Sequence, residues 1–261
     1  MQITRKITST LTLAAVCAAS GAALAQAKAP EPDYTLSFNA AAFTDYRFRG
    51  IAQTSKKPAV QAGADFAHKS GAYLGAFVSN VSWVKDYNGA TKGSYELDFY
   101  GGLKAEIAKD TTLDVGAITY RYPGNNSGDL GTPGAGTVSR ADTNEIYAGV
   151  TYGTFTAKIN RTTGNLLGFL SSSGSTYLDL SMGIDLGSGM TLTPHIGRQT
   201  VSNNGAYSYT DYALTLARDM GNGVTLTAAA IGTNAKKASY TDFKGRFIGN
   251  NTVVLGAKYV F

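Results

Sequence analysis

The feature that limits this chain most is the alternation at its end, over residues 251–261. Val253, Leu255, Ala257, Tyr259 and Phe261 fall on one face, and Thr252, Val254, Gly256 and Lys258 on the other. Strict period two over that length predicts a β-strand with one apolar and one mostly polar side. A bare strand of this kind presents a row of unpaired backbone groups and invites aggregation. Pairing it with the first strand removes the edge, and a bilayer admits sheets only in that closed form. The alternative is an ordinary edge strand of a soluble sandwich.

The rest of the chain decides between them. The first strand is expected over 34–48, with Leu36, Phe38, Ala40, Ala42, Tyr46 and Phe48 opposite Ser37, Asn39, Asp45, Arg47 and Arg49. A third is expected over 72–83. The fourth alternates most cleanly, with Tyr95, Leu97, Phe99, Leu103, Ala105 and Ile107 against Glu96, Asp98, Tyr100, Lys104 and Glu106. About twelve such strands follow one another, and every second connection is short. A sandwich has no reason to keep that rhythm. The expected fold is all-β, a transmembrane antiparallel up-and-down β-barrel with both termini on the side of the short turns. The aromatic ending, Tyr259 and Phe261, also resembles the terminal signal of bacterial outer-membrane barrels. It implies roles for both residues in barrel closure and in recognition by the barrel-assembly machinery.

The start of the chain agrees. Residues 1–25 read as a cleaved signal peptide: Arg5 and Lys6, then an apolar run, then Ala23-Leu24-Ala25. Residues 26–33, with Pro30 and Pro32, read as a periplasmic lead, and 34–261 as the barrel. The only cysteine, Cys17, falls inside the signal, which excludes disulfides and thiolate metal sites from the remainder. Losing Arg5 and Lys6 takes the net charge from +5 to +3, too mild a balance to indicate a nucleic-acid partner. The expected location is the outer membrane of a Gram-negative bacterium.

Several segments carry a family resemblance. They are Asp45-Tyr46-Arg47-Phe48-Arg49-Gly50-Ile51 with Gln53-Thr54 and Lys57-Pro58-Ala59, Ser79-Asn80-Val81-Ser82-Trp83, and Glu96-Leu97-Asp98-Phe99-Tyr100-Gly101-Gly102. Tyr120-Arg121-Tyr122-Pro123-Gly124, Asn144-Glu145-Ile146-Tyr147-Ala148-Gly149, Tyr177-Leu178-Asp179-Leu180 and Tyr209-Thr210-Asp211-Tyr212 complete the set. In these the chain resembles the proteobacterial Gcw_chp family of outer-membrane proteins of unknown function. The resemblance implies an outer-membrane location; it brings no substrate and no catalytic residues.

Function must come from the inward face. Descending strands place Asp65, Glu96 with Asp98, Glu145, Asp179 and Asp211 on it, all but Asp65 near the outer end. The ascending first strand delivers Asp45, Arg47 and Arg49 to that level. The expectation is a belt of acids with two arginines set into it, Arg47 against at least one of Glu96, Glu145, Asp179 and Asp211, and Arg49 at or just above them. Such a belt can filter small polar solutes by charge. It can equally fill a closed barrel with salt bridges, leaving a structural or surface-binding role. The basic outer loops (Arg47, Arg49, Lys56, Lys57, Lys92, Arg161, Lys236, Lys237, Lys244 and Arg246) are read as contacts with outer-membrane lipid, through lipopolysaccharide phosphates, with attraction of anionic solutes into the mouth as the alternative. No nucleophile elbow, zinc signature or phosphate loop is present, so neither cofactor nor metal is expected. A hydrolase using His195 is the remaining alternative. Oligomeric state is not encoded in any pattern found.

Overall fold

The computed structural model describes residues 32–261, so the expected signal 1–25 and most of the lead 26–33 lie outside the described residues. Twelve antiparallel spans make one closed sheet. They are β1 (Tyr34–Phe43), β2 (Ala59–His68), β3 (Ala72–Asn80), β4 (Tyr95–Ala108), β5 (Thr111–Arg121) and β6 (Thr143–Tyr152). The ring continues with β7 (Phe155–Thr162), β8 (Thr176–Met182, resuming after Gly183 as Ile184–Gly187), β9 (Met190–Thr200), β10 (Tyr209–Gly221), β11 (Val224–Thr233) and β12 (Thr252–Val260). Each strand pairs with its sequence neighbours, and β12 returns to β1 in register from Asn39↔Val260 to Phe43↔Gly256.

The last residue completes the seam. The Phe38 amide donates to the Phe261 carbonyl at 3.0 Å, and the Phe261 amide returns a bond to the Phe38 carbonyl at 2.9 Å. The two rings stack at 6.0 Å, and Tyr259 stacks on Phe261 at 5.6 Å.

Short turns join the strands at one end, as the alternation of connections predicts. The β10–β11 turn places Asn222 and Gly223 at φ 51° and 80°, the left-handed pair that a two-residue hairpin requires. The long connections (44–58, 81–94, 122–142, 163–175, 201–208 and 234–251) gather at the other end. The exterior carries large apolar side chains in the open: Leu36, Val60, Leu74, Phe99, Ile146 and Val253 are each more than half exposed. A band of that extent is the reverse of a soluble surface and suits contact with hydrocarbon.

Inside, aromatic rings lie close against glycines of the neighbouring strand. A Cβ on Gly75 would strike the Tyr100 ring, one on Gly102 the Tyr73 ring, one on Gly116 the Tyr147 ring, and one on Gly197 the Tyr177 ring. The glycines are where they are because a tyrosine needs the space, which keeps each ring near the wall.

Two expected strands end early. The first stops at Phe43 instead of running to residue 48, and the third stops at Asn80, with Trp83–Asp86 forming a helical turn. In both places the chain leaves the wall, and its aromatic residues turn to other partners: Tyr46 packs edge-on against Phe77 of β3, Phe48 against Tyr120 of β5, and Trp83 against Tyr122 of the 122–142 loop.

Candidate functional site: a loop laid across the lumen

After β1 the chain turns into the barrel. Its 44–58 loop is organised by Asp45, which accepts bonds from Arg47 Nε at 2.6 Å, Thr54 Oγ1 at 2.9 Å and the Lys56 amide at 3.0 Å. Within it, Arg47–Phe48 pairs with Ile51–Ala52 around a tight turn at Arg49 and Gly50, with φ 49° and 78°. Gly50 is required twice over, since a Cβ there would also sit 2.5 Å from the Thr233 side chain.

Holding arginine in the left-handed region costs about 1–2 kcal/mol, and the contacts of the side chain show what offsets it. Arg49 Nη1 and Nη2 donate to Glu145 Oε1 and Oε2 at 3.0 and 2.6 Å, and Nη1 also to Gln199 Oε1 at 2.9 Å. The guanidinium lies over the Phe48 ring at 4.7 Å and the Tyr177 ring at 4.3 Å. Glu145 is on β6, five positions round the ring from β1, so the loop spans the lumen and is bolted to the far wall. Burial alone would lower the pKa of this guanidinium; the Glu145 carboxylate outweighs it and holds the charge firmly in place.

The near wall takes the rest of the loop. Tyr46 donates to Glu96 Oε1 at 2.6 Å, and Tyr122 donates to Glu96 Oε2 at 2.7 Å. Burial, and then the Glu96 charge, push the Tyr46 hydroxyl well above its ordinary pKa, so it stays a donor. Arg47 does not reach the acids of the wall. Besides Asp45 it donates to the carbonyls of Gly50, Ile248 and Asn250 at 3.1, 3.2 and 3.1 Å, tying the loop to segment 234–251. The expectation that Arg47 would meet Glu96, Glu145, Asp179 or Asp211 is therefore corrected. Once strand one ends at Phe43, strand parity no longer aims its side chains, and Arg49 takes the place foreseen for Arg47.

The other acids find separate partners. Tyr177 Oη lies 3.1 Å from both carboxylate oxygens of Asp211, which share its one proton, and Asp179 lies 2.9 Å from His195 Nε2. Asp98 is buried, within electrostatic reach of Glu96 and Glu145, and its Oδ1 has no partner among the described residues. His195 Nδ1 lies 3.7 Å from Asp211, and Nε2 also lies 3.3 Å from Tyr177 Oη, so the ring sits among two carboxylates and a phenol. Period-two reading did not single out Gln199, Tyr46, Tyr120 or Tyr122, which complete the site. No acid stands next to Tyr120, Tyr122 or Gln199 in the chain, so only the pairing of strands brings these residues to the acids.

Above the site the loops have an apolar core of their own. Val81, Trp83, Val84, Tyr120 and Tyr122 form one cluster, and Ile51, Tyr209, Tyr240 and Ile248 a second, with Tyr87 packed against both. Between them remains a cavity of about 40 Å³, lined by Phe48, Trp83, Leu166, Tyr209 and Tyr240 among others. That is room for a few waters at most. Below the loop the lumen wall is polar and half-buried: Tyr73 donates to Asp114 at 2.6 Å and pairs with the Tyr147 hydroxyl, Tyr100 pairs with Asp65, and Lys158 Nζ lies 3.6 Å from the Tyr147 ring centre.

Several known structures share this architecture. The KdgM porin superposes with a TM-score of 0.52 at 6% identity, covering 86% of this chain and 99% of that one. The NanC porin gives 0.51 at 10% identity, covering 87% and 98%. A KdgM porin in complex with disordered oligogalacturonate gives 0.50 at 6%, covering 86% and 99%. At these identities the likeness is one of fold. Among curated proteins none matches the sequence. A family model described as "Bacterial protein of unknown function (Gcw_chp)" matches residues 26–261.

Proposed function

The chain thus belongs to the Gcw_chp family, and from that premise we propose that this protein is an outer-membrane channel for small polar solutes whose bore is set by the 44–58 loop. The observation that carries the reading is the Arg49–Glu145 pair, which fastens a loop from β1 to the opposite wall. A strap across a barrel narrows it at one height, and its charges then sort what passes. The constriction would comprise Arg49, Glu96, Asp98, Glu145, Asp179 and Asp211, with Asp45 and Arg47 shaping the loop that carries Arg49. The polar wall below the strap, with Tyr73, Tyr100, Asp114, Tyr147 and Lys158, offers donors and acceptors to a hydrated solute. The likeness in fold to porins supports a channel over an enzyme.

The apolar packing of the loops above the strap favours a second reading, a barrel closed at its outer end with a structural or surface-binding role. Recordings of the purified protein in planar bilayers decide between them. Discrete conductance steps, altered in ion selectivity by Arg49→Gln, are expected of the channel. A barrel silent both as wild type and as Arg49→Gln, though folded, would leave the structural role.

A further inference from the structure

Outside the barrel wall, where β5 ends and β6 begins, a cleft of about 400 Å³ lies between the 81–94 and 122–142 loops. Its lining includes Lys92, Arg121, Asn125, Asn126, Arg140 and Asp142. We infer that this cleft docks a phosphate group carried by an outer-leaflet glycolipid. Three cations line it against one carboxylate, Asp142, which is engaged by the Tyr122 amide at 2.9 Å, while Arg140 also meets the exposed Asp129 at 3.4 Å.

Arg121 is set in place before any ligand arrives. Its Nη1 donates to the carbonyls of Tyr120 and Thr143 at 3.1 and 3.5 Å, and its Nη2 to Asn144 Oδ1 at 2.8 Å. Arg121 and Asn144 both have the parity of the lipid-facing side, opposite to the buried Tyr120 and Glu145. The floor between the loops is equally fixed, since Asn126 Oδ1 accepts from the amides of Thr91 and Lys92 at 2.9 and 3.2 Å.

Asn125 supplies an independent sign of a ligand. Its Oδ1 accepts from the Ser127 amide at 2.9 Å and from Ser127 Oγ at 2.7 Å, which determines the orientation of its amide. Its Nδ2 is buried without a partner among the described residues. Asn125 lines the cleft together with the three cations, where an unused donor, now enclosed, suits an anionic oxygen that reaches it, and the size of the cleft falls within the range of small-molecule sites, roughly 300–1,000 Å³. At the outer ends of the strands, the anionic groups at hand in the outer leaflet are lipid phosphates. The inference rests on an outer-membrane location and not on whether the barrel conducts.

The test uses the full-length protein, expressed and purified in detergent. Native mass spectrometry would follow bis-phosphorylated lipid A, the same lipid without phosphates, and inorganic phosphate as competitor. Retention of the phosphorylated lipid, weakened roughly tenfold by the exposed pair Lys92→Gln with Arg140→Gln, is expected from the loss of two surface charge contacts. Asn125→Asp, which sets a carboxylate where a donor stood, is expected to weaken it further. Unchanged heat-dependent gel mobility establishes that these variants are folded. Equal retention of the dephosphorylated lipid, or no effect of the double substitution, overturns the proposal. Binding of inorganic phosphate without retention of lipid assigns the cleft to the free anion and overturns the lipid assignment.

Discussion

Arg49 and Glu145 meet through two parallel bonds of 3.0 and 2.6 Å, with both side chains almost wholly buried, although one belongs to the first long loop and the other to the opposite wall. Removing one partner of such a pair leaves the other as an uncompensated buried charge, at a cost of about 3–5 kcal/mol. Arg49→Ala is therefore expected to lower the temperature at which the folded band is lost on gels and to raise conductance, as the strap lifts from β6. Arg49→Met combined with Glu145→Gln should recover much of the stability, since neither side chain then carries a buried charge. Equal damage from the single and the double substitution would show that the pair is not the fastening.

Asp98 presents the opposite case. It is 3% exposed, stands near two other acids, and leaves Oδ1 without a partner. Asp98→Asn keeps its shape and exchanges a buried carboxyl group, which has no cationic partner among the described residues, for a neutral amide. Thermal stability is expected to be unchanged or higher, whereas Glu145→Gln alone, which strips Arg49 of its partner, should lower it. Comparative melting of the two variants makes the check. A marked loss for Asp98→Asn would mean that its negative charge is needed.

The seam at Phe38 and Phe261 yields a prediction about assembly. Deleting Phe261 removes two main-chain hydrogen bonds and two ring stacks from the strand that closes the barrel. Deletion, or Phe261→Asp, should reduce the amount of heat-modifiable protein in membranes far more than removal of a loop tip such as Leu130, which is 97% exposed. Normal membrane levels of Phe261→Asp would contradict this.

Acid should loosen the loop cap. Asp86, on the helical turn of the 81–94 loop, receives Lys244 Nζ at 2.5 Å and Arg246 Nη2 at 2.7 Å from the 234–251 loop. Burial pushes its pKa up, but the bonds from Lys244 and Arg246 outweigh that and hold it below the usual carboxylate value of 3.8. A lowered pKa means that the ionised form stabilises the cap above pH 3.8, and that this contribution fades as pH falls through the shifted value. Protection of the two loops against hydrogen exchange, taken relative to the intrinsic rate at each pH, should fall at the acid end, and Asp86→Asn should show the low protection already at neutral pH. Wild-type protection that does not change with pH would refute the latch.

The barrel itself was legible in the chain. Period two, about twelve strands, short connections at every second place and an aromatic end are local properties, and a membrane accepts one arrangement of them. The acids on descending strands were legible too, because a strand transmits parity to its side chains over its whole length. Glu96, Asp98, Glu145 and Asp211 accordingly lie buried on the inner face.

What the tertiary structure alone decided begins at Phe43. Residues 44–49 continue the alternation of β1, so nothing local shows that the chain leaves the wall there. That depends on contacts across the barrel: Tyr46 with Glu96, Arg49 with Glu145 and Tyr177, Arg47 with the carbonyls of Ile248 and Asn250. These partners stand 50 to 203 residues away along the chain. A backbone pattern extends only as far as its ladder of hydrogen bonds. Beyond the last rung the side chains go where distant groups can satisfy their charges, and only the closed ring brings those groups within reach.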